Sequence, residues 1–405
     1  MKDRIVSQLI AKEEKRQKSV LNLIASENYV SPDVREALSS IYVNKYAEGY
    51  PKARYYGGND IVDEVEMLAQ MRALSLFKLS PLEWNVNVQP YSGSPANLAI
   101  YLALVPAGGK IMGMKLDMGG HLTHGHRVSA TGILWEQIPY GVDKKTERLN
   151  YTHLKSLAKI EKPKLVVAGF TAYSRKIDFK KFRLVANAAR ALLVVDMSHI
   201  AGLVAAGVHS SPFQYADVVM TTMHKTLRGP RAALIFSRNK FSKAINRTIF
   251  PGLQGGPHMH TITASAIALS EASSLEFKKY AKQVVKNAQV LSGELKKYGW
   301  RIISGGTDNH LFLVDTHKRG ISGKKAETML EKAGIVVNKN TIPFDTEGPR
   351  DPSGIRIGTA ALTTRGMKEK DMKRIAGFIH AALKGSSPAK IARDVQAFVK
   401  EFPLP

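Results

Sequence analysis

Apolar positions along this chain follow two alternating patterns. Lys110-Ile-Met-Gly-Met, Lys164-Leu-Val-Val-Ala-Gly-Phe170, Leu192-Leu-Val-Val195, Asp217-Val-Val-Met-Thr-Thr222 and Ala233-Leu-Ile-Phe236 are short apolar runs, several rich in β-branched residues. They have the length and continuity of buried strands. Between them the spacing becomes helical, as at Ile61, Val65, Leu68, Ala69 and Leu76, and again over Phe179 to Ala191. Lys164 to Asp196 therefore reads as one strand–helix–strand unit with a right-handed crossover. The pattern predicts an α/β protein with a parallel sheet. Residues 1 to about 20 read as an amphipathic helix whose apolar positions, Ile5, Leu9 and Ile10, a partner chain could cover. An extended segment follows from Leu21, and a helix starts at Ser31-Pro32. Asn44 to Gly58 fits no regular element and is predicted as a loop. From about Leu275 the helices become lysine-rich, and a strand within Ser304 to Asp315 opens a smaller domain. The expected divisions are an arm at 1–25, a large domain at 26–274 and a small domain at 275–405.

At 405 residues the chain can bury a large core, and 44% apolar residues is ordinary for a globular protein. No run of 18 apolar residues appears, and the amino terminus lacks a signal-like apolar stretch, so a cytoplasmic location is expected. Zero cysteines exclude disulfides and thiol metal sites. The net charge of +25 admits three readings: nucleic-acid binding, a solvated basic surface, or attraction of anionic substrates. The lysines are scattered without any nucleic-acid-binding signature, so no nucleic-acid partner is expected.

In open α/β sheets ligands bind beyond the carboxyl ends of the strands. That rule puts Asp196, His199 and Lys225 on one rim. A lysine and a carboxylate converging there suit pyridoxal phosphate: the amine forms a Schiff base and the carboxylate keeps the pyridine nitrogen protonated. Solvated residues at strand ends are the plainer reading. Ser92-Gly93-Ser94, opening a helix, offers hydroxyls and amides to a phosphate, although such turns are also ordinary caps. His121 and His124 have no acidic or third ligand near them in sequence, so no metal site is expected. Phe250-Pro-Gly-Leu-Gln-Gly-Gly-Pro257 is a second glycine-rich loop that could approach an anion.

Val194-Val-Asp-Met-Ser-His-Ile-Ala-Gly-Leu-Val-Ala-Ala-Gly-Val-His209 and Thr221-Thr-Met-His-Lys-Thr-Leu-Arg-Gly-Pro-Arg231 closely resemble serine hydroxymethyltransferase. This family is a branch of the aspartate-aminotransferase-like, fold type I pyridoxal-phosphate enzymes, and the likeness runs from about Leu21 to about Met367. The resemblance implies a large domain with a mostly parallel seven-stranded sheet and a smaller α+β domain. It implies interconversion of serine plus tetrahydrofolate with glycine plus 5,10-methylenetetrahydrofolate, in a homodimer or tetramer. By the same resemblance Lys225, Asp196, Glu48 and His224 are catalytic. Ser92, Gly93, Ser94, His121, Thr171 and His199 hold the cofactor, joined by Tyr46 and Gly256 from a neighbouring subunit. Ser26, Tyr56 and Arg356 bind the amino acid, with Arg356 as the carboxylate clamp. Leu116, Gly120, His121 and Leu122 border the folate.

The sequence departs from the family pattern at Tyr91, Pro95 and Met118, where histidine, glutamine and histidine are commoner. It departs again at Gly348-Pro-Arg350, where an apolar ring gives way to a guanidinium. Either Arg350 stacks on the folate rings and attracts its glutamates, or the loop folds away and leaves folate weakly held; retained binding with altered affinity is the expectation. Three competing readings are a folate-independent aldolase of the same fold, a non-enzymatic basic binding protein, and an enzyme with added RNA affinity.

Overall fold

The computed structural model describes residues 2–405. Chain contacts divide it into two compact units, Val30–Lys282 on the one hand and Met1–Tyr29 with Gln283–Pro405 on the other.

The contiguous unit is built on seven strands: β1 (Trp84–Asn87), β2 (Lys110–Met114), β3 (Glu136–Tyr140), β4 (Leu165–Gly169), β5 (Leu192–Asp196), β6 (Val218–Thr222) and β7 (Ala233–Arg238). Their order across the sheet is β1-β7-β6-β5-β4-β2-β3. All neighbours are parallel except β7, which runs antiparallel to β1 and β6. The central strands carry the apolar runs read from the sequence, and β4 and β6 are buried at every position. In register, Val167 lies beside Val194 and Val195 beside Val219. Helices Gly93–Leu104 and Phe179–Ala188 pack on the sheet, with Ile100, Tyr101 and Phe182 fully buried.

Two strands escaped the periodicity. β1 and β3 are the edges, where one side lacks a partner and polar residues are tolerated. Trp-Asn-Val-Asn alternates rather than running apolar, and β3 contains Pro139, which only an edge accepts readily. The segment predicted as an irregular loop also holds order: Gly49–Tyr50 and Ala53–Arg54 pair as a small antiparallel hairpin.

The second unit has a four-stranded antiparallel sheet of β8 (Arg301–Ile302), β9 (Leu311–Asp315), β10 (Asn338–Asn340) and β11 (Gly354–Gly358), in the order β8-β9-β11-β10. Its core includes Leu21, Leu23, Phe312, Leu330, Ile355, Ile357 and Val395. Leu21–Asn22 pairs parallel with Ile335–Val336, so the amino-terminal segment is part of this core. Helix Arg4–Ser19 leaves Ile5, Leu9 and Ile10 more than half exposed, at 73, 58 and 52%. Among the described residues no helix is long and apolar enough to cross a membrane.

Arg365 ties both ends of the chain into this unit. Its guanidinium donates to the carbonyls of Lys18 and Val20 at the end of one helix and of Val399 and Phe402 at the end of another. Arg365→Met leaves these carbonyls without their cation. A hydrogen bond to a charged group is worth roughly 1.5–3 kcal/mol, so thermal unfolding should shift down and limited proteolysis should cut first near residues 18–20.

Candidate active site

β5 and β6 run side by side, and Asp196 and Lys225 lie at and just beyond their carboxyl ends. Asp196 closes β5 and is 9% exposed. Ser198 donates from its amide (3.0 Å) and hydroxyl (2.5 Å) to one carboxylate oxygen. Asn97 Nδ2 and His124 Nε2, each at 3.1 Å, serve the other. Burial alone would raise this carboxyl, but His124, then His121 and Ser198, more than offset it and hold it well below the usual carboxylate range. The charge is therefore maintained at neutral pH inside the protein.

The donors assign the histidine protons. His124 Nδ1 accepts the His121 amide (3.3 Å), which leaves Nε2 as the donor toward Asp196. Asn97 also donates to Thr123 Oγ1 (2.8 Å), so that hydroxyl is free to donate to His121 Nδ1 at 2.7 Å. The outer nitrogen of His121 then carries its proton. Gly169, at the end of β4, is the space that permits this packing: a Cβ there would lie 2.7 Å from Asp196 Cβ and 2.8 Å from His124 Cε1. Sequence reading considered His124 only as half of a metal pair lacking an acid. The acid is Asp196, 72 residues on, and among the described residues no cluster could hold a metal. Asn97, Thr123 and Gly169 were missed because their roles depend on Asp196 and His121, which only the fold brings near.

Lys225 follows β6 and donates to Thr222 Oγ1 at 2.7 Å. Thr226 fixes the turn behind it, donating to the His199 carbonyl and accepting from the Gly202 amide, both at 3.0 Å. This ties the lysine to the segment that carries Asp196 and His199. His224 is half-buried with Nδ1 lacking a partner. Burial, with Lys225 and Arg231, lowers its pKa to about 3.

Ser92 precedes helix Gly93–Leu104, and its side chain makes no capping bond there. Gly93 packs closely there: a Cβ would sit 2.8 Å from Thr222 Cγ2 and push that side chain aside. The turn thus reaches the end of β6 and presents Ser92 and Ser94 with helix amides, a setting made for an anion. Thr171 is held by its amide on the Gly119 carbonyl, and Leu116, Gly120, His121 and Leu122 lie along the same segment. A charged buried aspartate, a nearby lysine, a ring-sized histidine face and a phosphate-suited turn fit pyridoxal phosphate.

Tyr46, Glu48, Tyr56 and Gly256 assemble as a cluster of their own. The Tyr46 and Tyr56 rings meet edge to face at 5.2 Å, and Tyr46 donates to Glu48 Oε1 at 3.3 Å. Gly256 faces the Tyr46 ring, and Gly255 faces the Glu48 carboxylate. Tyr91 replaces the commoner histidine by stacking on His258 (4.1 Å, 5°) and donating to the Gly256 carbonyl at 2.7 Å.

In the second unit Arg356 is buried in β11. It donates to Asn338 Oδ1 (3.0 Å) and faces Ser26 Oγ at 3.5 Å. Burial lowers its pKa to about 10, so an incoming carboxylate would stabilise the cation. Arg350 is exposed, on a loop braced by Asp345, which accepts from Ser353, Ile342 and Glu347.

A lysine and a buried carboxylate beyond the strands of a mostly parallel seven-stranded sheet define a pyridoxal-phosphate enzyme of fold type I. Comparison with known proteins narrows this. The serine hydroxymethyltransferase family model matches residues 1–379. A serine hydroxymethyltransferase of Acidothermus cellulolyticus is 49% identical over 413 residues, covering 100% of this chain and 96% of that protein. The chain belongs to the serine hydroxymethyltransferase family, transferases that use pyridoxal phosphate to interconvert serine plus tetrahydrofolate with glycine plus 5,10-methylenetetrahydrofolate.

The lowered His224 pKa has a defined sign. Between 6.5 and about 3 the unfolded chain takes up a proton that the folded chain refuses, so stability falls with pH across that window. From pH 6.5 to 5 this costs on the order of 2 kcal/mol. Urea unfolding of the apoprotein should lose less stability over that interval in His224→Asn than in the parent.

Proposed function

We propose that the chain carries out this one-carbon transfer with the residues of the three sites above. Lys225 would hold the cofactor covalently, with Asp196 at its pyridine nitrogen, His121 on its ring face, Thr171 at its phenolic oxygen, His199 beside them and Ser92–Ser94 at its phosphate. Bound pyridoxal phosphate supplies the electron sink that weakens the bonds at the amino acid's α-carbon. The carrying observation is the buried Asp196 charge with its four donors, which stabilises a proton on a ring nitrogen brought against it.

The other residues bind and move protons. Arg356, with Ser26 and Tyr56, receives the serine carboxylate. Glu48 handles the proton on the hydroxymethyl oxygen or on the folate nitrogen. His224 and Thr226 orient Lys225, while Leu116, Gly120, His121 and Leu122 border the folate, with Arg350 modulating its affinity. The exposed rings of Tyr46 and Tyr56, clustered with half-buried Glu48 and Gly256, support a homodimer in which one subunit completes its neighbour's site, and the cytoplasm is the proposed location.

The purified protein should be yellow, and Lys225→Ala should abolish its visible band; an unchanged band overturns the lysine assignment. Arg356→Ala should keep the band while losing serine turnover by roughly a hundredfold, the equivalent of a charged hydrogen bond of about 3 kcal/mol. For the shared site, Tyr46→Phe mixed and reassembled with Lys225→Gln should regain activity that neither has alone. No regain after verified subunit exchange argues for a self-contained site.

A further inference from the structure

The hairpin that carries Glu48 is held from behind by a buried polar cluster. Arg54 spends its guanidinium on four acceptors: Asp63 Oδ1 (2.8 Å), Glu66 Oε2 (2.6 Å) and the carbonyls of Ala47 and Gly49, both at 3.0 Å. These two carbonyls flank Glu48 in the chain. The Glu66 side chain is fully buried and that of Arg54 is 4% exposed. Gln89, also buried, divides its amide between the Gly49 carbonyl (2.9 Å) and Glu66 Oε1 (2.8 Å).

Gln89 is also a joint. Its own carbonyl accepts from Gln254 Nε2 (2.9 Å), and Gln254 Oε1 accepts the Tyr91 amide at 3.1 Å. Gln254 immediately precedes Gly255 and Gly256, which bound Glu48 and Tyr46 on their open side. Gln89 thus links the loop bearing the carboxylate to the loop facing it, and Gln254 joins that pair to the Ser92–Ser94 turn through Tyr91.

We propose that Arg54, Glu66 and Gln89 are positioning residues for Glu48, acting through the backbone on either side of it and through the Gly255 loop. The inference rests on the reading of Glu48 as the acid/base. A buried ion pair is weak support for stability on its own, because desolvation offsets much of the attraction. Here the donors converge on two particular carbonyls, which points to placement. Lysine cannot replace Arg54, since a single ammonium cannot span two carboxylates and two carbonyls.

The test compares Glu66→Gln and Gln89→Met with Glu48→Gln in the full-length holoenzyme. Glu66→Gln turns an amide toward either Arg54 or Gln89, both donors, and Gln89→Met keeps the shape but removes the shared donor. Four quantities are read: visible cofactor absorbance per chain, kcat and KM for serine with tetrahydrofolate, and exchange of the glycine α-proton in deuterated water. Glycine exchange moves no hydroxymethyl oxygen and so makes no demand on Glu48.

Both positioning variants should keep their cofactor and their glycine exchange within about twofold, hold serine KM, and lose serine kcat by about ten- to hundredfold, the scale set by an ångström of misplacement. Full serine kcat in both variants, with Glu48→Gln impaired, overturns the positioning inference and leaves the functional reading intact. Full serine kcat in Glu48→Gln instead overturns the reading of Glu48. Parallel loss of absorbance, exchange and serine turnover marks a merely structural cluster and also overturns the inference. Should Glu66→Gln not fold, Asp63→Asn loosens the same guanidinium from its more exposed side and carries the same comparison.

Discussion

A single negative charge, kept ionised where water scarcely reaches, is the constraint on which the larger unit depends. An isolated carboxylate in such a place would take up a proton. Asp196 keeps its charge because four donors from three separate segments surround it. Each donor explains another feature. Ser198 also accepts the Thr222 amide, joining the ends of β5 and β6. Asn97 fixes the helix that starts at the Ser92–Ser94 turn, and His124 fixes the segment that carries His121. The groups proposed to hold the ring, the phosphate and the lysine are therefore positioned with respect to one charge.

Polar networks of this kind act over short reach, so each needs its own buried support. At Asp196 that support is the central sheet. At Glu48 it is the Arg54–Glu66–Gln89 cluster, which binds backbone rather than side chain. At Arg356 it is the second unit's small sheet, whose strand β11 buries the guanidinium and gives it neutral neighbours in Asn338 and Ser26. The three sites differ accordingly: a stabilised anion, a half-buried carboxylate on a braced loop, and a buried cation whose burial favours an anionic ligand.

How much of this was legible in the sequence follows from what each feature depends on. β4, β5 and β6 were readable because burial on both faces demands continuous apolar runs. β1 and β3 were not, because sheet edges relax that demand. That Asp196 and Lys225 fall at strand ends, and that Ser92–Ser94 opens a helix, could be read from local sequence, whereas the roles proposed for the other residues came only from the resemblance. The partnership of His124 with Asp196 needs the fold, since neither residue lies near the other in sequence. The hairpin at Gly49–Arg54 was hidden because two-residue strands have no period to detect, and its order comes from Arg54's distant partners.

The parallel pairing of Leu21–Asn22 with Ile335–Val336, together with Arg365's grip on both chain ends, bears on the order of assembly during synthesis. Everything between Val30 and Lys282 is contiguous and has its contacts available once the ribosome has passed that stretch. Leu21 and Leu23, fully buried in the finished protein, have no partner strand until residue 335 has been made. Leu21 and Leu23 are thus packed only after the whole contiguous unit has been made.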